Sequence, residues 1–317
     1  MKSLKGRLIF ALGTLVVIAL CPWLGPEFSA DQREFVLWQL RVPRVLMAAL
    51  VGMVLGTCGA AYQTIFSNPL ATPSTVGTTA GAALGALVAV LMGGTTAWAL
   101  PIVALCAFAG ALVVTLFIAA IAASGRARSN DILLAGIAIT LAAGAISTGL
   151  QFQADMASTF EAIRWSLGNL SQIGFRGVLM ILPFALIATV TILFNARALE
   201  SMMLGEAKAK SQGVDVVRVR SIVLGVGALG VGACVAWCGP ISFVGLIVPH
   251  VMRIFFGSTR RILLPMSAVF GAGFLVVCDT VARTLLEGRD LPVGVMTAGI
   301  GAPLLVWLVI HPNRRSL

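Results

Sequence analysis

The chain has 317 residues, of which 59% are hydrophobic and only 11% carry a charge. Its mean hydropathy of +1.00 and its low charge exclude an ordinary soluble domain, in which about a quarter of the residues are charged. The net charge of +10 is read as a topology signal and not as a sign of nucleic-acid binding, because no basic cluster is interleaved with aromatic residues. Long apolar runs predict an all-α integral membrane protein and not a barrel.

Ten apolar segments follow one another along the chain. They span residues 8–24, 45–65, 74–93, 97–123, 132–151, 177–196, 221–238, 241–256, 262–282 and 293–310. All but 241–256, which is short and contains Pro249, are roughly long enough to cross a hydrocarbon core of ~30 Å. We therefore predict about ten transmembrane helices. An even number of crossings puts both termini on the same side of the membrane.

The basic residues set the predicted orientation. With the termini in the cytoplasm, fifteen arginines and lysines are cytoplasmic and seven lie outside, in agreement with the positive-inside rule. The polar start Met1–Arg7, followed by an apolar run, has features of a signal peptide. That run is long and no small-x-small cleavage site follows it, so we expect an uncleaved first helix. The sequence thus predicts cytoplasmic N- and C-termini.

Arginines at the outer ends of two helices are candidate contacts for a soluble partner. Arg41 and Arg44 flank Val42-Pro43 at the mouth of the second helix, and Arg283 lies at the end of the ninth. Snorkelling to the lipid interface is the simpler interpretation for any single arginine. Two arginines held by an intervening proline can also present a basic surface to an acidic protein, which helps orientation and association rate more than affinity.

Prolines mark two interruptions of the helical pattern. In 68–74, Asn-Pro-Leu-Ala-Thr-Pro-Ser, Thr72 is a candidate N-cap with Pro73 at the first helical position. The second break is Gly239-Pro240, and a short helix follows it. Short, interrupted helices are typical of binding sites in secondary transporters. A secondary carrier therefore stays open at this point.

Small residues inside the apolar segments are expected to serve packing. Gly52 with Gly56, and Gly271 with Gly273, recur at short spacing along their helices, which lets helix backbones approach closely in lipid. All six cysteines lie in apolar segments, without a CxxC pair or a metal-type spacing with histidine. We therefore expect the cysteines to pack, and we predict no metal site.

The main polar feature lies between the sixth and seventh segments. Residues 205–220 hold six of the 34 charged side chains. Glu206 and Lys210 are four residues apart and face one side of a short helix. Gly213 is placed to end that helix and Asp215 to cap a second one. A merely solvated loop would need none of this order, and the charge distribution puts the segment in the cytoplasm.

Motifs for catalysis and for nucleotide binding are missing from the sequence. Neither His250 nor His311 has a partner at metal-binding spacing, and HExxH, GxSxG and the phosphate-binding GxxxxGK[ST] are absent. Charged residues fall near helix ends and not at helix centres, which argues against a proton- or sodium-driven carrier. No loop is long enough for a soluble domain, so we predict one transmembrane domain over 1–317. The chain is predicted not to be an enzyme, and its transport to be passive or powered by another subunit.

Several motifs, in order over nearly the whole chain, resemble one transporter family. They are Leu40–Arg44, Gln63 with Asn68–Ala71, Leu133–Gly136, Leu204–Ala207 with Gly213-Val214, Gly239–His250, and Leu291–Gly294 with Gly301–Pro303. The chain is similar to the permease (transmembrane) subunit of the iron-siderophore, haem and vitamin B12 family of ATP-binding-cassette (ABC) importers, the FecCD-type permeases. The stretch 239–250 is the most specific of these motifs.

The resemblance implies partners. A second permease subunit, identical or paralogous, forms the transmembrane dimer. Two cytoplasmic ATPase subunits use ATP, and a periplasmic or lipid-anchored binding protein delivers the substrate. The chain itself is expected to bind no cofactor and no nucleic acid, and to lie among lipids in the bacterial cytoplasmic (inner) membrane. An iron-siderophore is the expected substrate, with haem and vitamin B12 as alternatives.

The resemblance also implies roles for single residues at the two ends of the bundle. The matching positions are Arg41, Arg44 and Arg283 for docking of the binding protein, and Asn68, Leu70 and Ser129 for a cytoplasmic gate. Where a Ser or Asp commonly follows Asn-Pro-Leu-Ala in the family, this chain has Thr72, which can still cap a helix.

A third group of matching residues lies in the polar feature between the sixth and seventh segments. We name residues 202–217 the coupling segment, because the resemblance implies short coupling helices there that dock on the ATPase. The implied contacts are Leu204, Gly205, Glu206, Ala207, Lys208, Lys210, Gly213 and Asp215.

Two other classes of function compete with an ATP-driven import permease. A secondary carrier or channel is favoured by the broken helices and opposed by the charge-free helix centres. A membrane scaffold or receptor is disfavoured, because the coupling segment is the only sizeable polar feature. The substrate is not readable from the sequence, since the expected path residues are small or apolar.

Overall fold

The computed structural model of the chain describes residues 4–25, 30–92, 100–124, 129–153, 156–285 and 290–310. These residues are helical and contain no β-strand. The α-helices are α1 Leu4–Leu20, α2 Ala30–Phe35, α3 Val42–Ile65, α4 Thr78–Leu91, α5 Leu100–Ala123, α6 Ser129–Gln153, α7 Met156–Ser166, α8 Arg176–Phe194, α9 Ala196–Met202, α10 Glu206–Ser211, α11 Val216–Cys238, α12 Val244–Phe256, α13 Arg260–Thr284 and α14 Val293–Ile310. A 3₁₀ turn, Cys21–Trp23, follows α1, and a π-helical segment, Val36–Arg41, joins α2 to α3.

Each of the ten predicted apolar segments overlaps one of these helices. Within the described residues, six helical runs are long and apolar enough to cross a membrane, by length and composition. Shorter apolar helices occupy the other four segments, at Thr78–Leu91, Leu105–Ile121, Val244–Phe256 and Val293–Trp307. The prediction of an all-helical membrane fold is therefore confirmed, and the six full-length runs form its longest elements.

The central contact of the bundle is the antiparallel pair of α3 and α13. A Cβ atom added to Gly52 would lie 2.1 Å from the carbonyl oxygen of Gly271, and one added to Gly271 would lie 2.2 Å from that of Gly52. The two backbones therefore touch, and only glycine fits at either position. Gly56 faces the carbonyl of Ser267 in the same way. The predicted packing role of Gly52, Gly56 and Gly271 is confirmed, as expected where small residues set helix approach.

The first helix lies on the outside of the bundle. None of the residues of α1 is buried within the chain, and its exposed side chains are largely apolar. It attaches to α13, because Thr14 sits over Gly273 and the ring of Phe10 packs at 6.0 Å from that of Phe270. An apolar helix with so little internal burial is suited to lipid contact.

The antiparallel arrangement gives the bundle two chemically distinct ends. The start of α3 meets the end of α13 at one of them, and Arg41, Arg44 and Arg283 come together there. We name this end the arginine end. The end of α3, the coupling segment and the α12–α13 junction form the other end, which we name the coupling end.

Candidate functional site

The π-helical segment Val36–Arg41 positions the first two arginines. Proline lacks the N–H that would bond four residues back, so Pro43 leaves the carbonyl of Gln39 without its usual helical donor. The N–H of Gly174 donates to that carbonyl at 2.7 Å, and the Gln172 amide donates to the carbonyl of Pro43 at 2.8 Å. The loop before α8 thus braces the helix where Arg41 and Arg44 leave it.

Arg44 lies in a buried ion cluster and not on a free surface. It is only 9% exposed, and its Nε atom is 3.0 Å from both carboxylate oxygens of Asp279, which is fully buried in α13. Its Nη2 also lies 3.0 Å from Asp279 Oδ1, and its Nη1 donates to the carboxylate of Asp290. A carboxylate removed from water needs such a partner. Arg44 therefore joins α3 to α13 across the arginine end.

The other two arginines hold the short stretch after α1. Arg283 is 9% exposed and donates to the carbonyl of Cys21, while Arg41, which is partly exposed, donates to the carbonyl of Pro22 at 3.4 Å. A Cβ on Gly25 would lie 2.9 Å from Arg41 Nη2 and 3.7 Å from Arg283 Nη1. The structure thus brings the three predicted docking arginines together, with Arg44 and Arg283 largely enclosed within the subunit.

Sequence reasoning missed the two carboxylates of this cluster. The sequence pattern counts Asp279 only among the charged residues near helix ends, and it does not single out Asp290. A signal for the first was present, because Asp279 and Arg283 are four residues apart and face one side of α13. Its actual partner, Arg44, is separated from it by 235 positions, which no local pattern reveals.

The predicted gate residues Asn68 and Leu70 lie in the loop after α3. The Asn68 side chain accepts a hydrogen bond from the Leu70 N–H at 2.8 Å, and this turn leaves Leu70 47% exposed. Ser129 is the first residue of α6, and its side chain lies outside the described part of the structure. The structure therefore places two of the three gate residues in one exposed turn at the coupling end.

The predicted start of α4 is wrong by several residues. Thr72 does not cap α4, because its hydroxyl accepts from the Thr75 N–H at 3.2 Å and its carbonyl accepts from Val76 N–H at 3.0 Å. These bonds close a separate turn. Gly77 then adopts φ +87°, a backbone conformation that favours glycine, and the helix begins only at Thr78.

The coupling segment has the local order that its sequence predicts. Gly213, at φ +80°, follows α10, and the Val214 N–H returns to the carbonyl of Ala209 at 3.0 Å, which satisfies an open helix end. Asp215 caps α11 by accepting from the Arg218 N–H at 3.0 Å. The predicted end at Gly213 and the predicted cap at Asp215 are confirmed.

The side chains of this segment point mostly to solvent. Glu206 forms an ion pair with Arg220 of α11 and not with Lys210, which ties α10 to the start of the next long helix. Ala209 is the anchor, since it is fully buried. The remaining predicted contact residues are exposed, namely Leu204, Gly205, Ala207, Lys208, Lys210, Gly213 and Asp215. The segment is therefore a short, fixed helix with a free outer surface. Among the described residues, no three His, Cys, Asp or Glu side chains are grouped to hold a metal ion.

Comparisons with known proteins agree with this arrangement. The YvrB protein of Bacillus subtilis (strain 168), described as an uncharacterized ABC transporter permease protein, is 36% identical over 301 residues, which cover 92% of this chain and 85% of YvrB. The vitamin B12 import system permease protein BtuC of Escherichia coli O17:K52:H18 is 34% identical over 322 residues, covering 97% of this chain and 96% of BtuC.

Solved structures match over most of the chain. A metal-chelate type ABC transporter in an inward-facing conformation has a TM-score of 0.85 and 26% identity, covering 95% of this chain and 98% of its own. PsaBC from Streptococcus pneumoniae, at 17% identity and a TM-score of 0.60, shares the fold. The family model of the FecCD transport family matches residues 11–311, which confirms the resemblance drawn from the sequence motifs. The chain therefore belongs to the FecCD transport family.

Proposed function

We propose that this chain is the permease subunit of an ABC importer that carries a metal chelate across the bacterial cytoplasmic membrane. The observation that carries the proposal is the coupling segment. It is a short, capped helix with an exposed outer surface, on a chain whose sequence has no nucleotide-binding loop. Such a feature is suited to docking on a separate ATPase, and we propose two ATPase subunits below the membrane as its partners.

The proposed substrate is an iron-siderophore, with vitamin B12 and haem as the alternatives. The relatives support the class: BtuC is named for vitamin B12 import, which moves a cobalt chelate, and the solved transporter is of metal-chelate type. The choice within the class rests on the sequence resemblance. Uptake of the three ligands by one preparation separates them.

A secondary carrier is a weaker proposal for this fold. Ion-coupled carriers use intramembrane carboxylates that gain and lose protons or bind sodium. The fully buried carboxylate Asp279 is neutralised by Arg44 and lies one to two turns from the end of α13. It is therefore suited to holding helices together and not to coupling transport to an ion gradient.

We propose ten crossings with cytoplasmic termini. The ten apolar helices and the excess of basic residues on one side support this topology. It puts the coupling end in the cytoplasm and the arginine end outside. A reporter fused after Ile310 should be active in the cytoplasm, and an outward location of that fusion would reverse the assignment.

A second permease subunit would pack against α6. The exposed face of α6 carries a row of small residues, Ala138, Ala142, Ala145 and Gly149, at the spacing that permits close helix contact in lipid. A Cβ on Gly149 would meet no atom of the described residues within 4 Å. Replacing Ala145 with cysteine in a cysteine-free background should give a disulfide-linked dimer. Ile137→Cys is the matched control, because Ile137 is exposed on a different face of the same helix.

Docking of a binding protein is proposed at the arginine end. Arg41 is partly exposed, so an acidic partner reaches this cluster from outside through that guanidinium. Delivery of the ligand there, followed by ATP-driven movement of the coupling segments, would alternate access between two permease subunits by rigid-body motion of helix groups.

The experiment that tests the function is uptake into liposomes. The chain is purified with its co-expressed ATPase, reconstituted, and supplied with binding protein and radiolabelled ferric siderophore, haem or vitamin B12. Uptake that needs ATP inside the liposomes and is lost with a hydrolysis-deficient ATPase supports the proposal. Uptake driven by a proton or sodium gradient without any ATPase would overturn it.

A further inference from the structure

A cavity of about 210 Å³ opens at the coupling end of the bundle. It lies between the end of α3, Met203 after α9, and the junction of α12 with α13. Its volume is far above the roughly 15 Å³ that a single water molecule needs. Its walls carry the guanidinium groups of Arg253 and Arg260 and the amide of Gln63.

The polar atoms left without partners in these walls are all hydrogen-bond donors. Arg260 is 95% buried, since only 5% of it is exposed, and its Nε and Nη1 atoms find no acceptor in the part of the chain that the structure describes. Gln63, 4% exposed, accepts from Arg253 Nη2 at 2.8 Å, and its own Nε2 donor finds no acceptor among the same residues. Buried donors without acceptors are costly. Three of them in one cavity wall call for an acceptor-only group.

The nearby carboxylate does not meet this need. Glu200 accepts the backbone N–H of Arg260 and so caps the start of α13, where Thr259 provides no side-chain cap. Among the described residues, neither Arg253 nor Arg260 forms an ion pair with a carboxylate. The cavity lining therefore carries two cationic side chains and no carboxylate, and Glu200 beside it is engaged by the backbone N–H of Arg260.

We propose that this cavity binds one phosphate group. Two guanidinium groups with an amide donor match the several oxygen acceptors of a phosphate, which arginine holds in a forked geometry. The cavity lies where apolar helices end, the depth at which basic pockets between transmembrane helices bind lipid headgroups. The phosphate comes from the headgroup of an anionic phospholipid or from soluble phosphate. This site does not depend on the proposed import function.

The test compares the full-length chain with variants of the cavity wall. Arg260→Gln removes the buried guanidinium and leaves the N–H that bonds Glu200. Arg253→Gln removes the second cation independently, so the test does not depend on the folding of one variant. Arg261→Gln is the matched control, because Arg261 is the next residue and is exposed. Binding of inorganic phosphate is measured by calorimetry in neutral detergent. The thermal unfolding midpoint is measured in nanodiscs of phosphatidylglycerol and of phosphatidylcholine.

The expected result is a phosphate-dependent response in the wild type and in Arg261→Gln that the cavity variants lose. Removal of one charged donor should weaken binding about tenfold or more. Binding of inorganic phosphate identifies a soluble source, and a higher midpoint only in phosphatidylglycerol identifies the lipid headgroup. No response to either probe overturns the proposal. A response of Arg260→Gln and Arg253→Gln equal to that of the wild type also overturns it.

Discussion

Replacing Arg44 with methionine tests whether the buried ion pair fastens α3 to α13 at the arginine end. The substitution leaves Asp279, which is fully buried, without the three contacts at 3.0 Å that neutralise it. Removing one partner of a buried ion pair lowers the free energy of unfolding by about 3–5 kcal/mol. Asp290 adds little to this figure because its side chain is half exposed, and exposed pairs are worth about 0–1 kcal/mol.

The double variant separates the ion pair from ordinary packing. Asp279→Leu alone leaves Arg44 with Asp290, so we expect a smaller loss, about 1–3 kcal/mol. Arg44→Met with Asp279→Leu removes both charges and replaces them with apolar side chains, so it should be more stable than Arg44→Met alone. The coupling energy between Arg44 and Asp279 should therefore be well above ~0.5 kcal/mol, the deviation from additivity that independent sites show.

Equilibrium unfolding in detergent micelles measures all four proteins of this cycle. Arg261→Met is the matched control, because it removes an arginine that is exposed at the other end of α13. Additive losses in the double variant would refute the assigned ion pair. So would an Arg44→Met protein as stable as the control.

Three further predictions concern helix packing, the cap of α11 and the arginine end. Gly52→Ala should destabilise the chain by about 1–3 kcal/mol through overpacking, since its Cβ would lie 2.1 Å from the Gly271 carbonyl oxygen. Gly225→Ala, whose Cβ meets nothing within 4 Å, should be neutral or up to ~1 kcal/mol stabilising, and thermal unfolding that ranks the two variants the other way would contradict this. Asp215→Ala should destabilise the start of α11 by about 1 kcal/mol and speed hydrogen exchange of the Arg218 amide. Asp215→Ser should keep the stability and the exchange rate near those of the wild type. Arg41→Glu should weaken binding-protein docking at low salt and leave basal ATPase activity unchanged, while Arg164→Glu serves as the control; equal docking by both variants would remove Arg41 from the docking surface.

Local sequence patterns predicted the features that depend on neighbouring residues. Apolar runs located the long helices, because a segment that crosses the bilayer must be apolar and helical over about 20 residues. The cap at Asp215 and the helix end at Gly213 were predictable for the same reason, since each depends on residues within five positions. The start of α4 was not, because the turn that begins at Thr72 ends at Gly77, whose positive φ separates it from the helix at Thr78.

Contacts between distant helices were outside what the sequence could predict. Hydropathy locates each helix but not its neighbour, so the sequence does not predict the pairing of Arg44 with Asp279. The predicted docking role assumed that Arg44 and Arg283 face outward. The structure instead encloses both, and their docking role is a proposal in which a binding protein meets the partly exposed Arg41 first.

One helix pair links the two ends of the molecule. α3 and α13 share backbone contact at Gly52 and Gly271, and the Arg44–Asp279 pair fastens them at the arginine end. At the coupling end, Gln63 of α3 and Arg260 of α13 line the proposed phosphate cavity. Met203 of the coupling segment lines the same cavity, whereas the arginine end lies at the opposite ends of both helices. Movement of the coupling segment would therefore reach the cavity before the arginine end, and a phosphate bound there would connect this segment to the α3–α13 pair.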